Sequence, residues 1–254
     1  MSSDQSKYAI HAAAREGRVI AVESLLNADQ KLSHLKDDDG RLPLHWAASA
    51  NQHAIVLMLA QQKDFDPDVE DDSGWTPLMI AASVKDGDAI VELLLSRGAD
   101  INQKNNNGQT ALHFVASKNN IEIARKLLEH KPPASTRIRD KRGQYPLHRA
   151  AAVGSAPMVN LLLKNRSPLN ATDSAGYTAL HHAVAEGHGR CSSTRSDRPP
   201  RLTCHLGDTA VALLKAGAEV DKRDSDGYLA LDLAPDKEIR KYIEREAENE
   251  GIDL

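Results

Sequence analysis

Along most of the chain, short apolar clusters alternate with short polar ones in a fixed order. The stretch from Asp71 to Gly98 shows it best. A polar turn, Asp71-Asp72-Ser73-Gly74, leads into Thr76-Pro77 and then Leu78, Ala81 and Ala82, apolar positions at helical spacing. A second apolar run, Ala89-Ile90-Val91-Glu92-Leu93-Leu94-Leu95, closes at Gly98. The turn needs a residue that tolerates positive φ, which glycine supplies. Thr76 suits an N-cap, and Pro77 suits the first helical position, where a missing N–H costs nothing. Gly98 fits the residue just past a helix C-terminus. The pattern predicts one turn and two short helices per unit.

The unit recurs. Gly40, Gly74, Gly108, Gly143, Gly176 and Gly227 step by 34, 34, 35, 33 and 51 residues. Behind them stand Arg41-Leu42-Pro43-Leu44-His45-Trp46-Ala47-Ala48, Trp75-Thr76-Pro77-Leu78-Met79-Ile80-Ala81-Ala82 and Gln144-Tyr145-Pro146-Leu147-His148-Arg149-Ala150-Ala151. Gln109-Thr110-Ala111-Leu112-His113 and Tyr177-Thr178-Ala179-Leu180-His181 repeat the same phase. A degraded copy leads the array at Tyr8-Ala9-Ile10-His11-Ala12-Ala13, and another ends it at Tyr228-Leu229-Ala230-Leu231. Ile239, Tyr242 and Ile243 then form one apolar stripe on a charged terminal helix, which reads as a cap. The Thr-Pro-Leu-His-x-Ala phase and the period resemble the ankyrin repeat. The expected fold is therefore an all-α ankyrin-repeat solenoid of about seven helix-turn-helix repeats with β-turn fingers. One domain, 1–254, is expected, with repeats near 5–37, 38–70, 71–104, 105–139, 140–172, 173–223 and 224–254.

The longest step exceeds the period by 18 residues, and the surplus lies at 190–207. Without it the chain reads Ala185-Glu186-Gly187-His188-Gly189-Asp208-Thr209, an ordinary turn and second helix. The surplus carries four arginines, Pro199-Pro200 and almost nothing apolar, so it is expected to be a loop. Lengthening a loop from about 3 to about 21 residues costs only roughly 1.7 kcal/mol of closure entropy. Three readings compete. A translated intron preserves the frame and regenerates glycine at the junction. A regulatory loop could be phosphorylated at Ser192, Ser193, Thr194 or Ser196. A metal site could use His188, Cys191, Cys204 and His205, although the spacing matches no strong motif.

Charge and chemistry narrow the function. Lys plus Arg total 32 against 36 Asp plus Glu, a mild acidity that argues against a nucleic-acid partner. Two cysteines are too few for a disulfide scaffold and suit a reducing compartment. The polar start, Met1 to Lys7, leads into no signal-like apolar run, and no window is apolar enough to span a membrane. His11, His45, His113, His148 and His181 share one repeat position, so they read as architecture that bonds a neighbouring turn. No phosphate loop, zinc-protease motif or nucleophile elbow is found. The expectation is no enzyme, no metal and no cofactor.

Binding is left, at positions around each turn that owe nothing to packing. These are Asp38, Asp39, Arg41 and Ser49; Asp72, Ser73, Trp75 and Ser83; Asn106, Asn107, Gln109 and Lys118; Lys141, Arg142 and Gln144; and Tyr177. Trp75, Tyr177 and the arginines belong to the usual hot-spot types. Trp46 reads instead as a packing residue.

Gly40–Trp46, Asp71–Pro77, Pro146–Ala151 and Ala185–Gly189 with its resumption at Asp208 resemble the gankyrin-like family of proteasome-assembly chaperones, in the fungal form especially. That resemblance implies a protein that holds the C-terminal domain of an AAA ATPase of the 19S base and hinders premature docking on the 20S core. It further implies that Arg41 and Lys118 pair with acidic groups of that domain, and that the protein is cytoplasmic and nuclear and monomeric outside the complex. His182, Val184 and Glu186 stand where mammalian members carry a Leu-x-Cys-x-Glu motif, which puts retinoblastoma-protein binding in doubt. The alternative is a generic ankyrin adaptor or a kinase-inhibitor-type interaction protein.

Overall fold

The computed structural model describes residues 8–185 and 205–254. Among them are thirteen α-helices, two 3-10 segments and no strand beyond an isolated bridge between Arg223 and Leu229. The helices come in the expected pairs: α1 (Ala9–Arg15) with α2 (Val19–Ala28), α3 (Pro43–Ser49) with α4 (His53–Leu59), and α5 (Pro77–Ser83) with α6 (Asp88–Ser96). Then come α7 (Ala111–Lys118) with α8 (Ile121–Glu129), α9 (Pro146–Ala152) with α10 (Ala156–Lys164), and α11 (Ala179–Ala185) with α12 (His205–Lys215). In the last copy the first helix shrinks to a 3-10 turn, Ala230–Leu233, before the terminal α13 (Lys237–Asn249). The helices gather into two compact units, Met1–Val115 with Lys126–Ala134, and Ala116–Arg125 with Ser135–Leu254.

Helices this short are marginal alone, so packing must hold them. In α5, Thr76 caps the start by accepting the Met79 N–H, and Pro77 takes the first position. Leu78, Met79, Ile80, Ala81 and Ala82 are all buried. Burying a side chain such as Leu78 is worth about 1.5–3 kcal/mol, and the alanines let neighbouring helices approach closely. In the first unit α1 packs on α3 and α3 on α5; in the second α9 packs on α11 and α10 on α12.

The turns are built alike. Asp71 Oδ1 accepts the N–H groups of Ser73 and Trp75, both at 2.9 Å, while Gly74 N–H reaches back to the Asp71 carbonyl at 2.8 Å. Asn106 N–H then donates to the Ser73 carbonyl at 3.0 Å, stitching this finger to the next. Gly74 meets two demands at once. Its φ is +74°, and a Cβ there would stand 2.8 Å from the Asn106 nitrogen. In the second unit Ser174 N–H bonds the Arg142 carbonyl, and Ser225 N–H that of Ala175.

The terminal stripe caps the second unit as expected. Ile243 and Ala247 are fully buried, with Ile239 and Tyr242 half-buried. Tyr242 donates its hydroxyl to Asp208 at 2.5 Å, and that bond, ahead of burial, pushes the phenol up to about 12. Its ring lies against Gly207, where a Cβ would come within 2.3 Å of the ring edge. Helix α12 begins at His205, three residues before the Asp208 expected from the repeat. Most of the extra segment, and with it His188, Cys191 and Cys204, lies outside the described residues.

Candidate protein-binding surface

The repeated histidines bind the fingers. His45 Nδ1 accepts the Leu42 N–H at 3.0 Å. A backbone N–H can only donate, so the ring proton sits on Nε2, which faces the carbonyls of Val69 (3.1 Å) and Trp75 (3.2 Å) in the next repeat. His148 takes the Tyr145 N–H and reaches the Ala171 carbonyl, and His181 takes the Thr178 N–H and reaches that of Tyr228. Burial is the chief reason why all three imidazoles resist protonation, with His148 lowered to about 4. They are structural, as the repeat phase predicts.

A second regularity runs through the turn acids. In Asp37, Asp71, Asp140 and Asp173 the turn acid uses Oδ1 for its own loop, and Oδ2 is held by a donor from one of two places. One is the residue six after the turn glycine, on the first helix. Trp46 Nε1 thus binds Asp37 at 2.7 Å, Arg149 Nη2 binds Asp140 at 2.9 Å, and His182 Nε2 binds Asp173 at 2.9 Å. The other is the residue after the turn glycine of the preceding finger. Arg41 Nε binds Asp71 at 3.0 Å, and Gln144 Nε2 binds Asp173 at 3.1 Å. Burial draws the Asp37 carboxyl upward, but the Trp46 N–H and the backbone N–H groups outweigh it and hold the carboxyl below its ordinary range. Asp173 behaves likewise, through Gln144 and His182.

These clasps revise the expected binding positions. Arg41 is not free of packing duty. It is paired to Asp71, whose side chain is 2 % exposed, and it lies over the Trp46 ring at 5.5 Å. Trp46 is not fully interior. It is half-buried between Arg41 and Arg15, the latter 5.3 Å from the ring centre. Trp75 stacks on Phe114 at 4.1 Å, and Gln109 accepts from Asn105 Nδ2. Tyr177 stacks on His181 and meets His182 edge-on, both at 5.5 Å. Asp38, Asp39, Asp72 and Ser73 are exposed in the first unit, and Asp38 accepts the Tyr8 hydroxyl. In the second unit Lys118, Lys141 and Arg142 are exposed and make no ion pair among the described residues.

The first unit thus presents acidic finger tips beside aromatic rings braced by arginine, and the second presents exposed basic tips. Arg15, Phe114 and Tyr228 are not among the binding positions expected from the sequence. Tyr228 is 53 % exposed and occupies the position after its turn glycine, as Trp75 and Tyr177 do, so the repeat phase held the clue. Among the described residues no three His, Cys, Asp or Glu side chains group to hold a metal ion. No helix among them is long and apolar enough to cross a membrane.

The model for ankyrin repeats (3 copies) matches residues 1–71, 60–140, 78–173 and 131–194. A Saccharomyces cerevisiae protein described as probable 26S proteasome regulatory subunit p28 is 39 % identical over 243 residues, covering 94 % of this chain and 98 % of that protein. The ankyrin repeat-containing protein C6C3.08 of Schizosaccharomyces pombe is 38 % identical over 218 residues, 85 % of each. Among solved structures, the ankyrin repeat domain of Bcl-3 superposes with a TM-score of 0.70 at 24 % identity, covering 92 % of this chain and 97 % of that one; at that identity it speaks for the fold alone.

Proposed function

Because the chain belongs to the ankyrin-repeat family, and within it to the gankyrin-like group related to proteasome regulatory subunit p28, we propose that it is a chaperone that holds the C-terminal domain of a 19S base ATPase during regulatory-particle assembly. Ankyrin repeats are protein-interaction modules, and the chain is not an enzyme. The observation that carries the proposal is near full-length identity of 39 % to the yeast p28 protein. The exposed tips supply the chemistry. Lys118, Lys141 and Arg142 are free to meet acidic groups of the ATPase domain, and Asp38, Asp39 and Asp72 to meet basic ones. Assembly of the base would place the protein in cytoplasm and nucleus.

The test is affinity purification of the full chain with mass spectrometry, beside the triple variant Lys118→Glu, Lys141→Glu, Arg142→Glu. The expected result is capture of a base ATPase by the parent chain and its loss in the variant with helicity kept. Capture of other proteins and no proteasome subunit would reject the proposal, and undiminished capture by the variant would reject these residues as its surface.

A further inference from the structure

The clasp rule has one exception. In the last finger Asp224 Oδ1 accepts the N–H groups of Asp226 and Tyr228, both at 2.9 Å, as in every other turn. Its Oδ2 has no hydrogen-bond partner among the described residues, although Asp224 is only 7 % exposed. Both donor positions have been replaced. Leu233 stands six after the turn glycine, where Trp46, Arg149 and His182 stand elsewhere, and Tyr177 stands where Arg41 and Gln144 do. The nearest cation in sequence, Arg223, donates instead to the Gly227 carbonyl at 2.7 Å. Arg139 makes the same bond to Gly143, yet there Arg149 still serves Asp140.

We propose that this last finger binds an arginine side chain of a protein partner, with Asp224 Oδ2 as the acceptor that the guanidinium completes. The chain already uses arginine twice for the same task, through Arg41 Nε on Asp71 and Arg149 Nη2 on Asp140. A planar guanidinium stacks on aromatic faces while it donates, which an ammonium does less well. The finger offers both partners: exposed Asp226 adds negative charge, exposed Tyr228 belongs to the turn itself, and half-buried Tyr177 holds the matching place in the preceding finger. Both aspartates act on the Tyr177 hydroxyl, which burial first and their charges second push above its ordinary range. Because the acceptor lies beneath the surface, entry requires a neighbouring side chain to move. Tyr228, 53 % exposed, has the freedom to turn.

The experiment is an NMR titration of the full chain with acetyl-arginine amide, with acetyl-norleucine amide as an uncharged control of similar length. Saturating shifts at 224–228 with the arginine probe alone support the site. Asp224→Asn removes the acceptor and keeps the turn, because Asn105 closes its own turn with the same two Oδ1 bonds. Leu233→Arg retains the acid and supplies an internal donor in the manner of Arg149. Each variant should weaken the probe at least tenfold. Equal shifts from both probes, or undiminished binding in Leu233→Arg, would overturn the assignment even if Asp224→Asn failed to fold. No proteasome component enters the titration, so its outcome is separate from that of the purification above.

Discussion

His148 should make the second unit acid-sensitive well above the carboxylate range. Its Nδ1 is occupied by the Tyr145 N–H, its ring is 1 % exposed, and the His182 ring lies 5.5 Å away. Burial foremost, then His182, lowers it from 6.5 to about 4, against the opposing pull of Asp173 and the backbone carbonyls. The folded value is the depressed one, so the unfolded chain takes up the proton first. The stability from this group is complete above about pH 6.5, falls as pH drops toward 4, and is flat below. At 1.36 kcal/mol per unit the whole interval amounts to about 3 kcal/mol, of which roughly 1 kcal/mol is lost between pH 7 and 5.5. His45 and His181 shift in the same direction, so the parent slope is steeper than one residue explains. Urea unfolding at the two pH values should therefore be compared with His148→Gln, whose amide does not ionise. The variant should be weaker at pH 7 by about 1 kcal/mol for the lost Nδ1 bond, yet should lose about 1 kcal/mol less on acidification. A ring that titrates near 6.5 by NMR, or identical slopes in the two proteins, would refute the reasoning.

Other perturbations follow from the same geometry. Arg41→Ala leaves Asp71 Oδ2 buried without its partner and should cost about 1–3 kcal/mol by chemical denaturation, so weakened binding in that variant must be read against its stability. Gly207→Ala drives a methyl into the Tyr242 ring and should cost about 1–3 kcal/mol, seen as a lower Tm. Deleting 190–207 brings Gly189 directly before Asp208, restoring glycine opposite Tyr242; this variant should keep its helicity and melt no earlier than Gly207→Ala. Tyr242→Phe removes the donor to Asp208 and should cost about 1 kcal/mol in the same assay.

The helix pairs and turns were legible because each rests on residues close in sequence: Thr76 on Met79, Asp71 on Ser73 and Trp75, Gly74 on its own φ. The histidine phase was legible because the same residue recurs at one place and does one thing. The binding residues were read less well. Arg41 meets Asp71 thirty residues away, and Trp75 meets Phe114 thirty-nine away. These contacts depend on which side chain the neighbouring copy happens to carry, which a consensus does not encode. Trp46 reads as a packing residue because tryptophan between His45 and Ala47 looks apolar, whereas its indole N–H is what Asp37 requires. The clasps lie in columns rather than rows, with the turn acid set against the sixth residue after each glycine, where Leu233 is the odd one.

The locked imidazoles have one more consequence. Each Nε2 proton spans a single seam between adjacent copies: His45 to the Val69 and Trp75 carbonyls, His148 to that of Ala171, His181 to that of Tyr228. Burial holds these three rings below their ordinary range, so a seam that parts frees its own ring to exchange and titrate while the others stay silent. The molecule therefore carries built-in gauges, one in the first unit and two in the second, and each imidazole resonance reports on the opening of its own seam.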